Sequence, residues 1–140
     1  MRMNGATFRG YREMCGASQS QAAESLGVAL VTVKKWERGD RAVPDFACRW
    51  VLSCLEQHDA LVDDMMDRVE SSLPDGAAVA LSYYRTQEQA DIERADGMEP
   101  LPYAVCNAAS RTVAEILLDS GTPVTFAYPD EEDVQRIEQV

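Results

Sequence analysis

Glycines at 16, 27 and 39 cut the beginning of the chain into short segments, and the residue pattern between them leaves little freedom of architecture. Thr7 to Cys15 sets Phe8, Tyr11, Met14 and Cys15 at helical spacing, with Gly16 as a C-terminal stop. Ser18 and Gln21 form a capping box that opens a second helix through Ala22, Ala23 and Leu26, ended by Gly27. Val28 bridges to a third helix, Leu30 to Arg38, closed by Gly39. On that helix Val33, Trp36 and Glu37 share one face, while Leu30, Val31, Lys34, Lys35 and Arg38 face elsewhere. Ala23 is small enough for two helices to cross closely, Gly27 permits a positive φ in the turn, and Val33 with Trp36 anchors the third helix. The outer face of that helix is left free.

Pro44 sits at a helix start, and from Asp45 to about Leu73 neither glycine nor proline interrupts, which predicts one long helix. Its apolar stripe, Val51, Leu55, His58, Val62, Met65 and Val69, alternates steps of four and three, the rhythm of a helix packed along a partner. After the break at Pro74-Asp75-Gly76, Val79, Leu81 and Tyr83 alternate with Ala80, Ser82 and Tyr84 as a strand. Thr86 with Gln89 offers a second capping box for a brief helix ending near Asp96 and Gly97. Pro100 and Pro102 introduce a helix from Tyr103 to Ser120, with Val105, Ala108, Ala109, Val113, Ile116 and Leu117 inward and Gly121 as its stop. Val124, Phe126 and Tyr128 alternate with Thr125 and Ala127 as a second strand, and Asp130 opens an acidic terminal helix. The expected fold is mainly α: a helix-turn-helix bundle (1–43), a long linking helix (44–73), and a small α/β dimerisation unit with two short strands (74–140). A two-stranded sheet is marginal alone, so it should complete itself against the long helix or across a dimer interface.

A net charge of −11 argues against nucleic acid until it is divided along the chain. Residues 1–43 hold seven basic residues (Arg2, Arg9, Arg12, Lys34, Lys35, Arg38, Arg41) and four acidic ones (Glu13, Glu24, Glu37, Asp40), a net +3. Residues 44–140 hold six basic and twenty acidic residues, a net −14. Such a molecule approaches a polyanion head first. Cys15, Cys48, Cys54 and Cys106 form no C-x-x-C pair, and with His58 as the only histidine they give no familiar zinc spacing, so reduced thiols and no metal are expected. His58 lacks a partner in any catalytic motif and is expected in a core or interface; Tyr83 and Tyr84 are expected to fill a core or a dimer contact. The acidic run Asp130 to Asp133 is expected to open its helix, where the macrodipole favours negative charge. No Gly-rich phosphate loop and no membrane-spanning or signal-like apolar run is present, so the expectation is a cytoplasmic protein, not an enzyme, with no cofactor.

The run from Gly16 to Gly39, with its S-Q start, Ala23 at the crossing, the Gly27-Val28 turn and the T-V-x-x-W-E-x-G ending, resembles the helix-turn-helix of the lambda-repressor/Cro (XRE-like) family. The resemblance implies that the helix Leu30 to Arg38 lies in the major groove of double-stranded DNA, with Leu30, Val31, Lys34 and Lys35 at the base-reading positions. Lysine can donate to guanine, whereas Leu30 and Val31 offer apolar contact to thymine methyls. It further implies phosphate contacts from Ser18 and Gln19 at a helix N-terminus and from Arg38 and Arg41, and a structural ion pair between Arg12 and Glu37. Ala29 stands where the family usually has a capping Ser or Thr.

Beyond it, the strand ending Ser82-Tyr83-Tyr84, the helix Tyr103 to Ser120 and the strand Val124 to Tyr128 resemble the C-terminal unit of anti-CRISPR-associated repressors and related short bacterial regulators. That resemblance implies a homodimer whose tails pair and which represses transcription from an inverted repeat near its own promoter. Two alternatives stand beside it: an antitoxin whose acidic C-terminal part occupies a basic partner protein, and a helix-turn-helix used only for protein contacts, without DNA binding.

Overall fold

Asn4 accepts a hydrogen bond from the Thr7 amide at 2.8 Å and so starts the first helix, α1 (Gly5–Met14). This cap sets the helix start two residues ahead of the Thr7 expected from apolar spacing. In the computed structural model, residues 2–74, 76–94 and 100–130 are described. After α1 come α2 (Gln19–Leu26), α3 (Leu30–Arg38), α4 (Asp45–Ser72), β1 (Val79–Ser82), α5 (Gln87–Glu93), α6 (Tyr103–Asp119) and β2 (Val124–Ala127). The protein is mainly helical, with an N-terminal helix bundle and a small two-stranded sheet towards the C-terminus.

The head closes around Phe8, Ala22, Ala23, Val33 and Trp36, joined by Ala47, Cys48 and Val51 from the first turns of α4. Phe8 meets Trp36 edge-on at 5.9 Å between ring centroids, the favoured aromatic geometry, and Trp50 lies on its other side at 6.4 Å. The far end of α4 contributes Val62, Met65, Met66 and Val69 to a second core with Val79, Leu81, Val113 and Leu117. Between the two, Cys15 and Ala17 from the head meet Cys54, Leu101 and Val105. The long helix is thus a shared wall, and the alternating stripe reflects packing of α4 along α6.

Gly16 lets the head approach α6 closely. Its φ of +83° lies in the left-handed region, and a Cβ there would stand 2.8 Å from the Ala104 carbonyl and against the Ala108 methyl of α6. His58 is buried on α4, with Nδ1 3.0 Å from Asp59 Oδ1 and Nε2 3.3 Å from Thr112 Oγ1 of α6.

The two strands pair in parallel, Val79 opposite Val124 and Leu81 opposite Phe126, with the crossover made through α5 and α6. β1 ends at Ser82, short of the alternation that reached Tyr84. The physical reason is Asn107, buried on α6, which accepts from the Tyr84 amide at 2.8 Å and donates to its carbonyl at 2.9 Å, capturing the backbone that would have extended the strand. Ser110 likewise donates to the Ser82 carbonyl at 2.9 Å. The in-and-out alternation expected for β1 is replaced by burial of Val79, Ala80 and Leu81 alike, because both faces of this strand are covered. Ile116, expected inward on α6, is instead 44% exposed. The short helix expected to end near Asp96 and Gly97 already stops at Glu93, because Arg94 turns to an extended backbone at φ −63° and ψ 134°; the acidic helix expected after Asp130 lies outside the described residues.

Candidate nucleic-acid interface

The site is built on the wall that holds α3. Val33 and Trp36 are buried in the head core and fix the helix by its inner face. One turn further on, Glu37 receives a two-pronged bond from Arg12 of α1: Nε to Oε2 at 2.7 Å and Nη2 to Oε1 at 2.8 Å. Arg12 also donates from Nη1 to the Ala17 carbonyl at 3.0 Å, so one guanidinium ties α1, the turn before α2, and α3. Both side chains are nearly sealed from solvent, at 9% and 4% exposure. The hydrogen bonds to Glu37 push the Arg12 guanidinium above its ordinary range against the opposing effect of burial.

With its inner face held, α3 turns its other side outward. Leu30 is 38% exposed and Val31 53%, at the helix N-terminus; Lys34 is exposed and Lys35 half-buried one turn along. Ala29 occupies the N-cap and makes no side-chain cap bond. Gly27, at φ +67°, turns the chain between α2 and α3, with the Val28 amide bonded back to the Ala23 carbonyl at 3.0 Å.

α2 presents its N-terminus beside this face. The Ser18 oxygen accepts from the Gln21 amide at 3.0 Å, and Gln21 Oε1 accepts from the Ser18 amide at 2.9 Å, completing the capping box. The Ser18 hydroxyl proton remains available as a donor. Gln19 donates from Nε2 to Glu37 Oε1 at 3.1 Å, which fixes its side chain against α3. Sequence spacing gave no hint of that bond, since the partners are eighteen residues apart. Arg38, the last residue of α3, and Arg41 beyond it are exposed, and Arg38 Nε lies 3.1 Å from Asp40 Oδ2. Asp40 is a residue that motif reading passed over: an anion already paired with Arg38.

Residues 8–47 match the family model described as Helix-turn-helix. The head is a helix-turn-helix of the lambda-repressor/Cro (XRE-like) kind. The matched segment begins at Phe8 in α1 and ends at Ala47 in α4, both of which are buried in the head core. Its kind is a DNA-binding regulatory domain, not a catalytic one. No curated protein matches the chain. Among the described residues, no helix is long and apolar enough to cross a membrane.

Proposed function

We propose that the protein is a sequence-specific transcriptional repressor that acts as a homodimer on an inverted repeat. The observation that carries this reading is the outer face of α3: Leu30, Val31 and Lys34 are exposed and Lys35 half-exposed on a helix whose opposite face is locked by Val33, Trp36 and Glu37. A helix so held can enter a major groove without losing its own support. Lys34 and Lys35 supply donors for guanine O6 or N7, and Leu30 with Val31 supplies apolar surface for thymine methyls. Ser18, Gln19, Arg38 and Arg41 contact the flanking phosphates, and the acidic body, repelled by DNA, faces away. Dimer symmetry sets the two recognition helices roughly 34 Å apart, one turn of the duplex. With apolar residues at two of the four reading positions, the head takes part of its specificity from groove shape and half-site spacing.

A mobility-shift titration with DNA from upstream of its own reading frame, at moderate salt, tests the proposal. The parent protein shifts that DNA in preference to scrambled sequence. Lys35→Ala relaxes the preference at one base position in each half-site, whereas Gln19→Ala weakens all sequences alike. Absence of any sequence-dependent shift refutes DNA recognition, and partner binding without salt-dependent DNA affinity favours a pure interaction module.

A further inference from the structure

The free edge of β2 has a definite polarity. In the ladder the Val79 amide donates to the Pro123 carbonyl and the Tyr83 amide to the Ala127 carbonyl, each at 2.9 Å, with Val79 opposite Val124 and Leu81 opposite Phe126. A parallel ladder of that register turns the peptide groups of Pro123, Thr125 and Ala127 towards β1 and those of Val124 and Phe126 away from it. Among the described residues no further strand lies beside β2. Pro123 therefore removes no donor from the outer edge, and neither does Pro129 if the same alternation continues beyond the strand. Exposed edges are ordinarily blunted by a lysine or other charge. From Gly121 to Pro129 the chain itself carries no charged side chain, in a protein of net charge −11; the Arg85 guanidinium, 3.8 Å from the Tyr128 ring centroid, is paired with Asp130 at 2.7 Å.

Side chains on this edge are unfinished in the same way. Phe126 shares a face with Leu81, which is fully buried, yet is itself 45% exposed; its inner contact is the Tyr83 ring, edge-on at 5.2 Å. Thr125 is exposed on the opposite face. The other strand offers no comparable surface, since Val79, Ala80 and Leu81 are all buried.

We infer that β2 pairs antiparallel with β2 of a second copy of this chain, with Phe126 opposite Phe126 at the twofold axis; this rests on the homodimer proposed above. The occupant follows from three features together. An outward row of peptide donors and acceptors calls for another strand. A strand can meet its own copy across a twofold only antiparallel. Self-apposition also places each side chain beside its equivalent or its near neighbour, which an uncharged strand allows without like-charge repulsion. In this register Phe126 exchanges both its peptide hydrogen bonds with its twin, Val124 lies opposite Tyr128, and the two phenylalanine rings cover one another. Two marginal two-stranded sheets become one of four strands, in the order β1-β2-β2-β1.

Phe126→Glu and Phe126→Lys test this by sedimentation equilibrium of the full chain, with far-UV circular dichroism as the check on folding. Each variant alone places like charges at the axis and self-associates at least about tenfold more weakly than the parent. An equal mixture of the two recovers the dimer. If a charged variant fails to fold, Phe126→Pro answers the same question, because it removes the outward donor and leaves the β1 ladder intact; it too dissociates the dimer. Folded variants that dimerise as tightly as the parent overturn the β2 pairing and leave the homodimer standing. A mixture that stays monomeric overturns the placement of Phe126 on the axis. A parent that is monomeric at every concentration overturns the homodimer itself.

Discussion

Replacing Arg12 with methionine isolates the interaction that holds the recognition helix. Methionine keeps the length of the aliphatic stem while removing the guanidinium, so the loss is electrostatic more than steric. It leaves the Glu37 carboxylate, at 4% exposure, with the Gln19 amide at 3.1 Å, and it takes from the Ala17 carbonyl a donor at 3.0 Å. Breaking one side of a buried ion pair costs about 3–5 kcal/mol, and an orphaned buried carbonyl adds about 1 kcal/mol. A loss of about 4–6 kcal/mol is a large share of the roughly 5–15 kcal/mol that stabilises a domain of this size. Urea unfolding at neutral pH, followed by circular dichroism and tryptophan fluorescence, measures it as a lower midpoint at unchanged slope. Arg12→Met/Glu37→Leu removes the stranded charge as well, so the double variant is more stable than Arg12→Met alone. A loss below about 1 kcal/mol for Arg12→Met, or two single losses that simply add in the double variant, would refute the reasoning.

Three further predictions concern other parts of the molecule. Gly16→Ala destabilises by about 3 kcal/mol in the same urea assay, combining left-handed backbone strain with overlap against Ala104 and Ala108, whereas Gly27→Ala, whose added methyl meets open space, costs only about 1 kcal/mol. Burial pushes the Cys106 thiol up to about 11 from its ordinary value of 9.0. Its folded value is the higher one, so its contribution is fully present below pH 9 and is lost as pH rises towards 11; Cys106→Ala therefore loses about 2 kcal/mol less than the parent across that window, measured by urea unfolding at both ends. Asp40→Asn frees Arg38 from its 3.1 Å partner and removes a negative charge beside the proposed phosphate contacts, so DNA affinity rises and the salt slope steepens by about one ion; unchanged slope would count against Arg38 as a phosphate ligand.

The head was legible because its determinants are local. Ser18 and Gln21 form the capping box their spacing announced, Gly27 and Gly39 stop their helices in the left-handed conformation, and Val33 with Trp36 turns α3 inward. Capping and helical periodicity act over three or four residues, within reach of a single stretch of sequence. The tail was legible in outline alone. Its strands are short, and periodicity cannot tell how far a strand runs when a side chain from another element, here Asn107, captures its backbone.

By itself, then, the sequence determined the helix-turn-helix, the long α4, and the separation of a basic head from an acidic body. The tertiary structure alone decided the parallel order of β1 and β2, the outward placement of Ile116 and Phe126, the seat of Gly16 against α6, and the bond from Gln19 to Glu37. These depend on contacts between segments far apart in the chain, where neither spacing nor propensity carries information. A helix records its own start, its stop and its apolar face in its residues; which neighbour that face will meet is settled only when the chain closes on itself.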